Sequence, residues 1–457
     1  MAIKLDVKEA TDRISLHAKE INVRKVTIDS GSKLKSKSLL LKDDLLTLVF
    51  EDVIPAGERT LKIEFQGDHN DQMAGFYRSR YKNAKGEQKI MVSTQFEALD
   101  ARRCFPCWDE PACKATFKCT LVCKTGLHAL SNMPVERRSV EKKGELTRFE
   151  YMTTPIMSTY LLAFCVGEFD YVAGTTKNGV SIRVFAPPGR SEQGRFALDV
   201  AIRTLDIYDD FFGLPYPLPK LDMIAIMEFA AGAMENWGLV TYREVDVLID
   251  EKNATEWQKQ RVCTVVTHEL AHQWFGNLVT MDWWNDLWLN EGFACWTQTW
   301  AANKVKPSYQ MWDQFVSGDM ARAQGLDSLR SSHPIQVPIR RAEEVEAVFD
   351  AISYSKGACV VRMCYELMGE EKFRDGLRIY MKRHQYGNSK TTDLWKAWQE
   401  ASGIDIPGLM ASWTEKMGYP LLTVSNVQSG SFDVNQSWFL ADGTFIYIYI
   451  LFLLCTL

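Results

Sequence analysis

Thr264-Val-Val-Thr-His268-Glu269-Leu-Ala-His272-Gln-Trp-Phe275 is the stretch on which the reading of this chain turns. On a helix, residues four apart lie on one face, so His268 and His272 can reach the same cation. Val262, Val266 and Leu270 recur at the same interval on another face, the pattern of a helix packed on a core. Two imidazoles leave room for a carboxylate and a water, a donor set that suits zinc, and one zinc ion is the expected cofactor. Glu269, next to His268, is then the general base toward that water. H-E-x-x-H alone is a moderately specific signal, because a histidine pair on a helix is more often structural. Asn290-Glu291-Gly-Phe-Ala294 sharpens it. Glu291 stands nineteen positions after His272 on a second predicted helix, whose apolar stripe is Leu289, Phe293, Trp296 and Trp300. Glu291 supplies the third ligand, and the small Gly292 and Ala294 let the two helices approach closely. His17, His69, His128, His333 and His384 have no such company and read as ordinary surface or core residues.

Upstream, Gly232-Ala233-Met234-Glu235-Asn236 follows a predicted strand over 221–227. A Gly-rich turn can bring backbone groups against an extended peptide. Glu235 would then set a carboxylate near the metal without ligating it, and an exopeptidase needs such an anion to hold a free α-ammonium. From these five residues alone, a turn with no further role is an equally good reading.

Further out, the pattern divides. From about 13 to 170 the chain alternates with period two, and 21–28, 45–50, 61–65, 115–123 and 149–152 read as strands of an antiparallel β domain. From about 192 helical periods take over: 193–212, with Phe196, Val200, Thr204 and Tyr208 on one face, and later helices near 309–320, 355–368, 371–383 and 392–401. A third, β-like stretch begins at Leu421 and runs out at once. The expected fold class is α+β multidomain, with a β domain over 1–183, a catalytic domain over 184–421, and 422–457 as the start of a β domain followed by a divergent tail.

Gly232–Asn236, His268–His272 and a Glu after eighteen intervening residues resemble the gluzincin aminopeptidase family, and within it the puromycin-sensitive branch. The flanks extend the likeness: Phe229 to Arg243, His268 to Thr280, Thr94-Gln95-Phe96-Glu97, Asp100 to Pro111, and Phe349-Asp-Ala-Ile-Ser-Tyr354-Ser-Lys-Gly-Ala358. It covers about residues 10 to 425. Where that family usually has Ala-Asp-Phe before the Gly-Ala-Met-Glu-Asn turn, this chain has Met227-Glu228-Phe229, which keeps the charge. The resemblance implies that the second domain is a thermolysin-like, mixed α/β zinc peptidase. It implies that Gln95 and Glu97 come from the β domain to the substrate, with Glu97 joining Glu235 on the free amine, and that Gly232, Ala233, Met234 and Asn236 hold the peptide. It implies that Tyr354 donates its hydroxyl to the oxyanion of the tetrahedral intermediate, where charge develops. The implied activity is hydrolysis of the N-terminal peptide bond with broad residue specificity. Family members have a longer N-terminus and further β and helical domains, whereas this chain diverges after about Val424. The alternative is therefore a catalytically inactive relative that binds peptides or a partner protein. An endopeptidase fits poorly, because an internal segment would leave two anions unpaired.

Composition narrows the setting. A net charge of −5 without a long basic block offers nothing to nucleic acid. Eleven cysteines, an odd number spread over a large chain, read as reduced thiols of a cytoplasmic protein. Cys104-x-x-Cys107 has no second pair at zinc-knuckle spacing. The first residues have no signal-peptide core. The apolar 445–457 is shorter than the roughly 20 residues of a membrane helix. It reads as a spurious or alternative C-terminus rather than a membrane element. Oligomeric state is not readable.

Overall fold

The computed structural model describes residues 1–31, 34–42, 44–83 and 85–444. The apolar stretch from Phe445 lies outside the described residues, as does its reading as an alternative terminus. The chain forms two compact units. The first takes Met1–Asp170, Phe185–Ser191 and Met223–Glu244. The second takes Tyr171–Val184, Glu192–Asp222 and the chain from Val245 onward.

The first unit is antiparallel β, as the alternation predicts. One three-stranded sheet has the order Ala2–Val7, Gly57–Gly67, Ile21–Ile28, and a second has Thr11–His17, Leu45–Ile54, Leu34–Lys42. Their inward residues, among them Leu16, Leu48, Phe50, Leu61 and Ile63, make one core. Inside and outside alternate because successive strand side chains point to opposite faces. A four-stranded sheet follows, in the order His128–Ser131, Phe164–Gly167, Gln88–Gln95, Gly75–Lys82. The expected strand over 115–123 is shorter than the pattern suggests. Only Thr120–Lys124 joins a sheet, because Ala115 pairs singly with Met157 and Phe117 N donates to Thr154 Oγ1. The segment 100–111 is a structural brace. Arg102 Nε donates to Asp109 Oδ2 at 2.9 Å in a buried pair, Asp109 N donates to His17 Nδ1, and Cys107 pairs with the His17 backbone. Cys104 and Cys107 are free thiols, and burial raises the pKa of each.

The second unit carries the helices: α1 (Arg195–Phe212), α2 (Glu256–Ala271), α3 (Trp288–Val305), α4 (Met311–Phe315), α5 (Ala321–Asp327), α6 (Gly357–Met368), α7 (Glu370–His384), α8 (Thr391–Ser402) and α9 (Ile406–Thr414). In α1, Phe196, Val200, Thr204 and Tyr208 are all buried, as their spacing predicts. The Tyr208 hydroxyl lies 2.9 Å from Thr267 O on α2 and 3.3 Å from Thr297 O on α3, so one phenol bridges three helices. Thr255 caps α2: its Oγ1 accepts from Gln258 N while Gln258 Oε1 accepts from Thr255 N. Helix α9 escaped the periodicity because it is short, and it starts where Asp405 accepts from Gly408 N with Pro407 in the first turn. Two segments are wound as π-turns, Val316–Met320 and Ile352–Lys356. The β-like stretch at Leu421 does not run out: Pro420–Gln428 pairs with Ser431–Trp438 in a hairpin. Among the described residues, no helix is long and apolar enough to cross a membrane.

Candidate active site

Helix α2 presents His268 in its last turn and His272 at its end, and α3 presents Glu291 in its first turn. The two Nε2 atoms are 3.0 Å apart, and Glu291 Oε2 lies 3.3 Å from His268 Nε2 and 3.4 Å from His272 Nε2. Each ring is held from behind. His272 Nδ1 is 2.9 Å from Phe275 O, and His268 Nδ1 is 2.8 Å from Gln298 Oε1. Both partners only accept, so both Nδ1 atoms carry the proton and both Nε2 atoms turn lone pairs inward. Three acceptors thus converge in a buried place, an arrangement that a cation relieves. Two nitrogens and one oxygen with a position left for water is the catalytic zinc set, so the residues present fit that ion. Burial, reinforced by the neighbouring His272, lowers the His268 pKa below its ordinary 6.5 and keeps the ring a ligand rather than an imidazolium.

Glu269 is buried on the same helix. The Tyr354 ring, half-buried, lies parallel to the His268 ring, with centroids 6.2 Å apart and planes at 3°. The second unit therefore brings His268, Glu269, His272, Glu291 and Tyr354 into one neighbourhood. Gly292 is small for a reason other than the one its position suggests. A Cβ there would stand 2.9 Å from Gly357 Cα and 3.2 Å from Ser353 O. It lets α3 touch the backbone of the Tyr354 segment, not α2.

In the first unit, Ala233–Met234 pairs antiparallel with Thr241–Tyr242 and is the last strand of its sheet. A strand in that position presents an edge for pairing an extended peptide. Gly232 O accepts from Arg243 N at 2.8 Å, and Asn236 Nδ2 donates to Thr241 Oγ1 at 3.2 Å, which fixes the turn. Gln95 Nε2 lies 3.4 Å from both Glu97 O and Met234 Sδ. Carboxylate oxygens of Glu97 and the buried Glu235 come within 4.8 Å of one another. The strand edge, Gln95 and two close acids thus belong to one unit.

Gln298 is a functional neighbour that motif reading missed. Its available signal was spacing: it stands seven residues after Glu291, two turns along the same face of α3. His333, read as an ordinary residue, has a specific partner, with Nε2 at 2.9 Å from Asp350 Oδ2.

Comparison with known proteins agrees with this arrangement. Residues 1–161 match the Peptidase M1 N-terminal domain and residues 196–413 the Peptidase family M1 domain. The chain is 49% identical to Aminopeptidase M1 of Arabidopsis thaliana over 451 residues, 97% of this chain and 51% of that protein. It is 45% identical to the puromycin-sensitive aminopeptidase of Caenorhabditis elegans over 448 residues, covering 96% of this chain and 47% of the relative. With the alanine/arginine aminopeptidase of Saccharomyces cerevisiae it shares 49% identity over 395 residues, 86% of this chain and 45% of the other. The chain spans about half the length of these relatives. Two domain matches that follow one another along the sequence, together with three acceptors converging from α2 and α3, place this chain in the peptidase M1 family of zinc metallopeptidases.

Proposed function

We propose that this chain is a zinc aminopeptidase that hydrolyses the N-terminal peptide bond of peptides, with broad preference for the first residue. The observation that carries this reading is the convergence of two imidazole lone pairs and one carboxylate, each ring oriented by an acceptor behind it. His268, His272 and Glu291 would hold a zinc ion, which when bound would supply Lewis-acid polarisation of the scissile carbonyl and a more acidic water. Glu269 takes a proton from the attacking water and later delivers one to the leaving amine. Tyr354 donates its hydroxyl hydrogen to the oxyanion as charge develops there. Glu97 and Glu235 bring carboxylate oxygens within 4.8 Å of one another, and the substrate's α-ammonium is a cation that suits such a pair. Gln95 and the backbone of Gly232, Ala233, Met234 and Asn236 hold the peptide extended.

As domains we propose 1–183, 184–421 and 422 onward, ranges that enclose the two family matches. A cytoplasmic location accords with ten described cysteines that are all free. The test is hydrolysis of a fluorogenic aminoacyl amide by the purified chain, with and without a chelator, beside Glu269→Gln. Activity that the chelator removes, and that the variant lacks by at least about 100-fold, is expected. A soluble, zinc-loaded chain with no activity would favour the inactive peptide-binding alternative.

A further inference from the structure

Tyr354 sits in a π-wound turn, Ile352–Lys356, which carries one more residue than an α-turn would. Rewinding to α would rotate one side of the turn by about 100° relative to the other and swing the phenol away from His268. Two acid–base pairs meet the ends of this turn. At its start, Asp350 Oδ1 accepts from Ile352 N at 2.9 Å and Ser353 N at 3.3 Å, while Asp350 O accepts from Tyr354 N. Asp350 Oδ2 is 2.9 Å from His333 Nε2, and His333 Nδ1 is 2.7 Å from Pro334 O. Both ring nitrogens face oxygen acceptors, an arrangement that favours the imidazolium. At the end of the turn, Lys356 Nζ lies 2.8 Å from Asp327 Oδ2 and 3.2 Å from each of Lys416 O and Gly418 O, which satisfies all three ammonium protons. Asp327 Oδ1 in turn accepts from Ser332 Oγ and Gly418 N. One strap, 327–333, thus supplies an acid and then a base, and the turn supplies an acid and then a base to meet them.

We propose that the strap 327–333 is a clasp, with His333 on Asp350 and Asp327 on Lys356, that positions the Tyr354 hydroxyl for the oxyanion. This rests on Tyr354 being the oxyanion donor. These four are positioning residues that act through the turn. Because Lys356–Asp327 is buried, its members confer geometry more than stability, and removing one alone would strand the other charge. His333 is the adjustable half of the clasp. Its bond to Asp350 raises its pKa above 6.5 against the opposing effect of burial, and Asp327 adds to the rise. A folded-state pKa above the unfolded one means the hold is complete below about pH 6.5 and is lost as pH climbs through the raised value.

The test uses the full, zinc-loaded chain. His333→Leu should lower kcat between about 10- and 100-fold, leaving KM and zinc content within about twofold, and amide exchange of Ile352–Lys356 should speed up. His333→Gln, a neutral donor, should recover part of the rate and lose the alkaline fall in exchange protection of that segment. On a Tyr354→Phe background, His333→Leu should cost nothing further. A full additional loss on that background, or unchanged exchange over Ile352–Lys356 in His333→Leu, would overturn the clasp. If the wild-type chain hydrolyses nothing, the aminopeptidase reading and the oxyanion role fall, and the exchange arm still decides whether the strap holds the turn.

Discussion

At the scale of single residues, the site depends on atoms that conventional motif reading ignores. The Phe275 carbonyl decides which nitrogen of His272 faces His268 and Glu291, and a glycine decides how near Tyr354 comes. Gly292 and Gly357 meet backbone to backbone, and a methyl at Gly292 would sit 2.9 Å from Gly357 Cα with no flexible side chain to yield. Gly292→Ala should therefore destabilise the second unit by about 1–3 kcal/mol, the usual cost of overpacking. It should also slow turnover by displacing the Tyr354 turn. The control is Gly325→Ala in α5, where a Cβ meets nothing within 4 Å. Relief of glycine's backbone entropy there should leave stability equal or raise it by about 0.5–1 kcal/mol. Thermal melts of both variants at constant zinc decide the matter, and equal midpoints would mean that α3 can slide without loss.

At the scale of elements, the geometry of α2 against α3 sets the proposed metal site. Tyr208 reaches both helices, Thr267 Oγ1 lies 3.3 Å from Gln298 O, and Gln298 Oε1 orients His268. Gln298→Leu should fill the same space but release the His268 ring, weakening zinc affinity by about 10- to 100-fold, the usual effect of losing an outer-shell partner. Competition with a chromophoric chelator measures it, and unchanged affinity would show that packing alone orients the ring. These elements differ in how much the sequence reveals of them. Helices α1, α2 and α3 are legible because apolar residues recur at helical spacing in each, and the proposed ligands ride on that regular backbone. Strands 21–28 and 45–50 are legible from period two, while the extension of the second to Ile54 is not. The π-turn at Tyr354 is not, because an added residue in a helix leaves no periodic trace over so short a span. The Asp327–Lys356 and His333–Asp350 pairs are not, because the partners are joined by tertiary packing and share no interval. Gln298 lies between these cases, visible by spacing only after Glu291 has been identified.

At the scale of the molecule, each unit has its own source of order. The first rests on an apolar core between two small sheets, with the buried Arg102–Asp109 pair fixing the 100–111 segment. The second buries large aromatic side chains such as Trp274, Trp288 and Trp296 and also holds a set of converging acceptors, so part of its stability would belong to a cation that relieves them. Zinc that binds the folded unit and not the unfolded chain adds RT ln(1 + [L]/Kd), about 4 kcal/mol at a thousandfold excess over Kd. Two units need not unfold together, so a single unfolding free energy is the wrong observable for this chain. Amide exchange resolved by segment is the right one. Adding zinc to the chelated protein should slow exchange in peptides from α2 and α3, which bear the proposed ligands. Glu291→Gln should abolish most of that slowing, because the neutral amide gives up the charge that α3 brings to the ion. If α2 and α3 exchange at the same rate with and without zinc, the three acceptors are held apart by packing alone and the metal contributes chemistry without order.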